Sequence, residues 1–315
     1  MSYSQALDGL IDLLRYLNSD SGRAEVKWLA QDDASLAEAS QTMARRMIDQ
    51  ATPYFWSRSI GAIIDASRQD MPPWRLMPES LPTRAGYFWF DRPMSAPCAN
   101  GSPEHPDHIR GLLWMRMRLV DGFDACAVEA NTNVQPHKDP RLATDTVWIW
   151  PIVLNSEAPG PHLTQVPIPW LTGHVTPKAS DEEFVSRGGG PRRSLPFRHT
   201  VLTMFAACLA FIEQRILVQS IQRPERAARK RAAPIFDQER EVRVIELRKR
   251  AVPSAPSGEH DPIEWACRWI VSGHWRQQWF PSLQENRPIW ITPYVKGPED
   301  KPLKLPTERI FAVVR

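Results

Sequence analysis

His274 is the histidine whose neighbours give it something to do. If residues 265–280 run as one strand, alternate side chains share a face, and Arg268, His274, Arg276 and Gln278 fall together. An imidazole beside two guanidiniums can move a proton at a phosphodiester while the arginines hold its oxygens. That chemistry would suit an RNA- or nucleotide-processing enzyme of toxin type. The plainer alternative is a histidine bonded to backbone, with Arg268 and Arg276 stacked on indoles. A single histidine without a second positioned group is not a mechanism, so the chain reads more readily as a binding protein than as an enzyme.

The other candidates are electrostatic. Arg223, Arg226, Arg229, Lys230 and Arg231 form a basic run that a helix would gather mostly on one side. Such cations hold phosphates without reading base sequence. They can equally pair with acidic residues elsewhere in the chain. Residues 187–250 hold 15 Lys/Arg against 6 Asp/Glu, and the rest of the chain is net acidic. That asymmetry points to a local site for an anionic partner. Glu104-His105-Pro106-Asp107-His108 offers His105 and His108 as metal ligands, but Pro106 prevents a helix from aligning them and no third ligand cluster accompanies them. Gly188-Gly189-Gly190 lacks the Lys-Ser/Thr of a phosphate loop and reads as a flexible basic loop. No nucleophile elbow or kinase signature is present, and no cofactor is implied.

Five of the 13 tryptophans, Trp265, Trp269, Trp275, Trp279 and Trp290, crowd into 26 residues. On a continuous strand the first four would line one face, with the polar and basic residues opposite and Ala266 and Ile270 as interruptions. A hairpin turn at Ser272-Gly273 would mix the two sets. The continuous strand is the expectation, with Gly273 as a bulge or a point of close approach and the indoles as the core of a small sheet. Base stacking would instead require exposed rings.

Two segments carry a resemblance. Gly273-His-Trp-Arg-Gln-Gln-Trp-Phe-Pro-Ser282, continuing through Pro288-Ile-Trp-Ile-Thr-Pro-Tyr-Val-Lys-Gly-Pro298 to Pro302-Leu303, resembles the C-terminal module of uncharacterised bacterial and phage proteins. Leu81-Pro-Thr-Arg-Ala-Gly-Tyr-Phe-Trp-Phe-Asp-Arg-Pro93 resembles a segment upstream in similar proteins. The resemblance implies an intracellular, mobile-element setting and assigns no functional residue.

These residues need elements to hold them. Leu7, Leu10, Ile11, Leu14 and Leu17 follow helical spacing, and Asn18 to Gly22 is a stop. A second helix fits 34–50, and Pro53 could open a third through Ile64. Tyr87–Phe90, Leu112–Val120 and Thr146–Leu154 read as strands, the last apolar on both faces and so covered on both. A long apolar helix is expected over 196–222, then strands over 241–250, 265–280, 289–295 and 309–315. The fold expected is α+β: N-terminal helices on a central, mostly antiparallel sheet, a long buried helix, and a small antiparallel C-terminal β module. The divisions are 1–186, a linker with the buried helix at 187–240, and 241–315.

Thirty prolines in 315 residues exclude a wholly helical chain. Cys98, Cys126, Cys208 and Cys267 form no C-x-x-C pair and read as reduced thiols, Cys208 as a core residue. No leader is expected from Met1-Ser-Tyr-Ser-Gln, and the apolar run 201–212 is too short for a bilayer. A cytoplasmic protein without membrane or disulfide partners follows. Its expected role is to bind nucleic acid, or a nucleic-acid-handling protein, through the basic run and the Arg268/Arg276 face. A protein-interaction scaffold is the further alternative.

Overall fold

The computed structural model describes residues 3–29, 34–72, 76–77, 80–97, 106–118, 145–154, 161–162, 168–171, 180, 182, 195–212, 214, 216–247, 267–271, 273–282 and 284–304. The chain divides into two compact units, Met1–Arg248 and Lys249–Arg315.

The first unit is built on an eight-stranded mixed sheet. Its strands are β1 (Thr52–Trp56), β2 (Ala85–Ala96), β3 (Asp107–Arg118), β4 (Asp145–Leu154), β5 (Pro161–His162), β6 (Ile168–Leu171), β7 (Leu217–Gln222) and β8 (Val242–Leu247). They lie in the order β5-β4-β3-β2-β1-β8-β7, with β6 also on β4. β1 runs parallel to β2 and β8, and the remaining pairs are antiparallel. The chain is α+β, as its pattern of elements implies.

Both faces of the sheet are covered at its centre, and β4 is buried at eight consecutive positions. On one face lie α1 (Gln5–Asn18), α2 (Asp20–Leu29), α3 (Ala34–Gln50) and α6 (Arg226–Ala232). Leu7, Leu10, Met43 and Met47 pack there with Tyr87, Leu113, Met115, Trp148 and Trp150. On the other face α4 (Arg58–Ser67) and α5 (Leu195–Ile212) approach the sheet. Phe205 of α5 closes an aromatic group with Phe88 at 5.8 Å and Trp114 at 5.6 Å. α5 is long and apolar enough to cross a membrane, and 67% of it is buried within the protein. It carries Cys208, whose thiol is fully buried and pushed up by that burial.

Several sequence expectations change. The residues at 18–22 do not end the helical region but turn a corner. Ser19 closes α1 by donating its N–H to Tyr16 O at 2.9 Å, and its Oγ accepts Gly22 N–H at 3.1 Å to start α2. Pro53 sits in a central strand rather than at a helix start. The β1–β2 ladder begins at Thr52 but the β1–β8 ladder only at Tyr54, so the missing N–H lies beyond the end of the β8 ladder. The buried helix stops at Ile212, and 217–222 become the edge strand β7. β8 pairs with β1 and β7 in the main sheet, so it belongs with the first unit and not with the C-terminal module.

Candidate functional site

The second unit contains β9 (Arg268–Val271), β10 (His274–Phe280), β11 (Glu285–Ile291), β12 (Tyr294–Lys296) and β13 (Leu303–Lys304). β10 and β11 form an antiparallel hairpin, while β9 is the middle strand of a separate sheet, β12-β9-β13. The stretch 268–280 is therefore neither one strand nor a hairpin about Ser272-Gly273. The chain passes from one sheet to the other between Val271 and His274. Gly273 permits the crossing, because a Cβ there would lie 2.4 Å from the Trp290 ring and 2.9 Å from Pro293 Cδ.

That crossing disperses the expected catalytic group. Arg268 lies in the three-stranded sheet, where its Nε and backbone N–H donate to Lys301 O and Pro302 O, each at 2.8 Å. His274 and Arg276 stay together on one face of the hairpin, both exposed, and Arg276 Nη2 donates to Gln278 Oε1 at 2.9 Å. The tryptophans do not form a continuous buried face either. Trp290 is buried and meets its cross-strand partner Trp275 edge-on at 5.3 Å. Trp269 is half-buried with the Lys296 ammonium 5.8 Å from its ring. Trp279 is 46% exposed. Trp265 lies outside the described residues. The larger tryptophan core is in the first unit, where Trp56, Trp114, Trp148, Trp150 and Trp170 are fully buried.

The three-stranded sheet presents what the sequence reading missed. Directly paired residues share a face, as do residues two apart on a strand. Ile270 pairs with Val295, and Arg268 with Leu303, so all four lie on one face. Ile270, Val295 and Leu303 are 39%, 51% and 38% exposed. The signal was present in the sequence as the apolar Ile270 interrupting an otherwise polar alternation.

The basic run is largely neutralised within the first unit. Arg223 forks onto Glu239, with Nε–Oε1 at 2.9 Å and Nη2–Oε2 at 3.0 Å. Arg229 joins the same carboxylate at 3.2 Å and donates to Pro224 O at 3.1 Å. Arg231 pairs with Asp8 of α1 at 2.6 Å. The Arg223 hydrogen bond, ahead of other causes, holds the Glu239 carboxyl below its ordinary range. Arg226 and Lys230 are exposed and have no ion pair among the described residues. Beside this cluster a groove of about 1030 Å³ is lined by Arg223, Phe236, Glu239, Arg240 and Arg243. Arg240 is committed there to the Ala51 and Asp49 carbonyls and stacks on Phe236 at 4.1 Å. Burial lowers its pKa.

His108 is exposed at the start of β3, and His105 and the glycine triplet lie outside the described residues. Among the described residues no three His, Cys, Asp or Glu side chains gather as a metal site. Cys208 and Cys267 are free thiols.

No protein-family model and no curated protein matches the chain. Among solved structures it is similar to the crystal structure of AcrVA2, at 14% identity over 93% of this chain and 95% of that chain, with a TM-score of 0.42. That likeness is too distant to transfer an activity or a partner.

Proposed function

We propose that this is a non-enzymatic binding protein whose C-terminal β unit docks another protein through the Ile270–Val295–Leu303 face. The observation that carries the reading is that aliphatic face, exposed on a small sheet rather than buried under it. Contiguous exposed apolar surface is a feature of interaction sites. The groove beside the basic run is not on it. Arg268 shares that face through its pairing with Leu303 and suits a partner with an acidic residue at its rim. A hydrolytic role for His274 draws no comparable support. Its nearest arginine sits on the open face of a two-stranded ribbon, whereas catalysis at a phosphodiester needs converging groups and excluded water.

Nucleic-acid binding is the second reading because Trp279 exposes its ring, which base stacking requires. Affinity capture from the native host with wild type, Ile270→Asp/Val295→Asp and Trp279→Ala separates the two. The expected result is a protein retained by wild type and by Trp279→Ala and lost with the double variant. If instead a labelled single-stranded oligonucleotide binds saturably, weakens with salt and is lost with Trp279→Ala, the nucleic-acid reading replaces the protein one.

A further inference from the structure

The large sheet treats its two edges differently. At one end lie β5 and β6, of two and four residues, each carrying a proline, Pro161 and Pro169. Short strands and proline are the usual guards against pairing with another chain. At the other end lies β7, six residues without charge or proline and in unbroken register with β8. Val218 and Ile221 are 42% and 59% exposed, on opposite faces of the sheet. The direction of the β7 backbone follows from its neighbour. Ile245 O of β8 accepts Ser57 N–H at the end of β1, so the backbone groups of Ile245 face β1 and not β7. Gln219 pairs with Ile245, and Ile221 with Arg243 two residues along, so the N–H and C=O of Gln219 and Ile221 point out of the sheet. Among the described residues nothing bonds these four groups.

We propose that β7 pairs with β7 of a second copy of this chain, antiparallel about a two-fold axis through Ser220, and so joins the two large sheets into one. The open groups select both the occupant and the register. Gln219 and Ile221 flank Ser220 symmetrically, so the two-fold sets Gln219 of each copy opposite Ile221 of the other. Each such pair exchanges two N–H···O bonds, and all the outward groups of both residues are satisfied. Centring the axis on Gln219 instead would call on Leu217 N–H, which already donates to Gln214 O at 3.1 Å. A two-fold axis normal to the sheet also keeps the faces matched. Ile221 then lies beside Gln219 of the second copy on one face, and Val218 beside Gln222 on the other. No like charges meet, because β7 carries none and Arg223 falls opposite Leu217 with its guanidinium held by Glu239. A second copy brings the same uncharged, open edge of the same length, which an unrelated strand supplies only by coincidence. Six residues a side make a small interface, so the dimer forms reversibly and with concentration.

Sedimentation velocity of the full chain over a concentration series, with hydrogen exchange at its two ends, tests this. The mass is expected to rise from one chain to two, and exchange over 217–222 to slow as it does. Gln219→Pro removes an outward N–H and leaves the β8 ladder whole, and Ile221→Lys places a charge on the edge. Each should weaken dimerisation at least tenfold, and the exposed position of Ile221 keeps the test open should Gln219→Pro misfold. Ile270→Asp/Val295→Asp should leave dimerisation unchanged. A mass of one chain at every concentration overturns the inference. So does a dimer that survives both β7 variants, or one lost with Ile270→Asp/Val295→Asp, which would place the contact on the C-terminal unit. A monomer whose 217–222 exchange slows only with a captured host protein would give the edge to a partner's strand and overturn the inference as well. The edge and the aliphatic face lie in different units and have separate variants, so neither result decides the other.

Discussion

Single residues show how tightly the first unit is fitted. A Cβ on Gly86 would fall 2.2 Å from the Trp114 ring, in a row already filled by Phe88 and Phe205. Gly86→Ala is therefore expected to destabilise by about 1–3 kcal/mol or more, the usual cost of overpacking. Gly61 is the contrast. It lies inside α4, and the nearest atom to an added Cβ is Arg92 O at 4.0 Å. Gly61→Ala should gain about 0.5–1 kcal/mol, since glycine is the poorer helix former. Urea denaturation of both variants measures the two effects. Equal responses would mean that the indole can yield. At the same scale the sequence was legible for residues whose role is local burial, such as Leu7, Leu10 and Cys208. It was not legible for Arg268 and His274, because their juxtaposition depended on whether one strand or two contained them.

At the scale of elements, α6 is tied down by charge. Arg223 and Arg229 converge on Glu239, and Arg231 reaches Asp8 of α1. The Glu239 carboxyl has a lowered pKa in the folded state. Its contribution is present above its unfolded pKa and fades as pH falls through the lower folded value. Hydrogen exchange over 223–241, corrected for intrinsic rates, should accordingly rise in acid below the ordinary carboxylate range of about 4. Glu239→Gln should show the faster exchange already at neutral pH. A variant indistinguishable from wild type at both pH values would show that α6 does not depend on the Glu239 pairing. Helix or strand periodicity told correctly where α1 and α3 lie. It misplaced 53–56 and 217–222, because short runs apolar on both faces have the same pattern in a buried strand and a buried helix. Pairing with β2, β8 and β7 made them strands.

At the scale of the whole molecule, every described strand of the large sheet finds its partners before Arg248. A chain ending at Arg248 should keep a cooperative thermal transition within a few degrees of the full chain's while losing the captured partner. Loss of that transition would mean that the second unit completes the first. The expected boundary at 240 failed for a topological reason. β8 follows the basic segment in sequence but inserts between β1 and β7, and parallel pairing with a strand nearly 190 residues earlier leaves no local mark.

The sequence by itself determined the class of the molecule. Its helical N-terminus, its doubly apolar β4 and the run that forms α5 follow from residue type and short-range spacing, which act within a few neighbours. Only the tertiary structure decided which charges are free and which apolar surface is open. Arg223, Arg229 and Arg231 look like a phosphate site until Glu239 and Asp8 are brought to them. The tryptophans of 265–290 look like one face until the chain changes sheets at Gly273. In each case the deciding contact joins residues remote in sequence or a register set elsewhere, and such contacts leave no period to read.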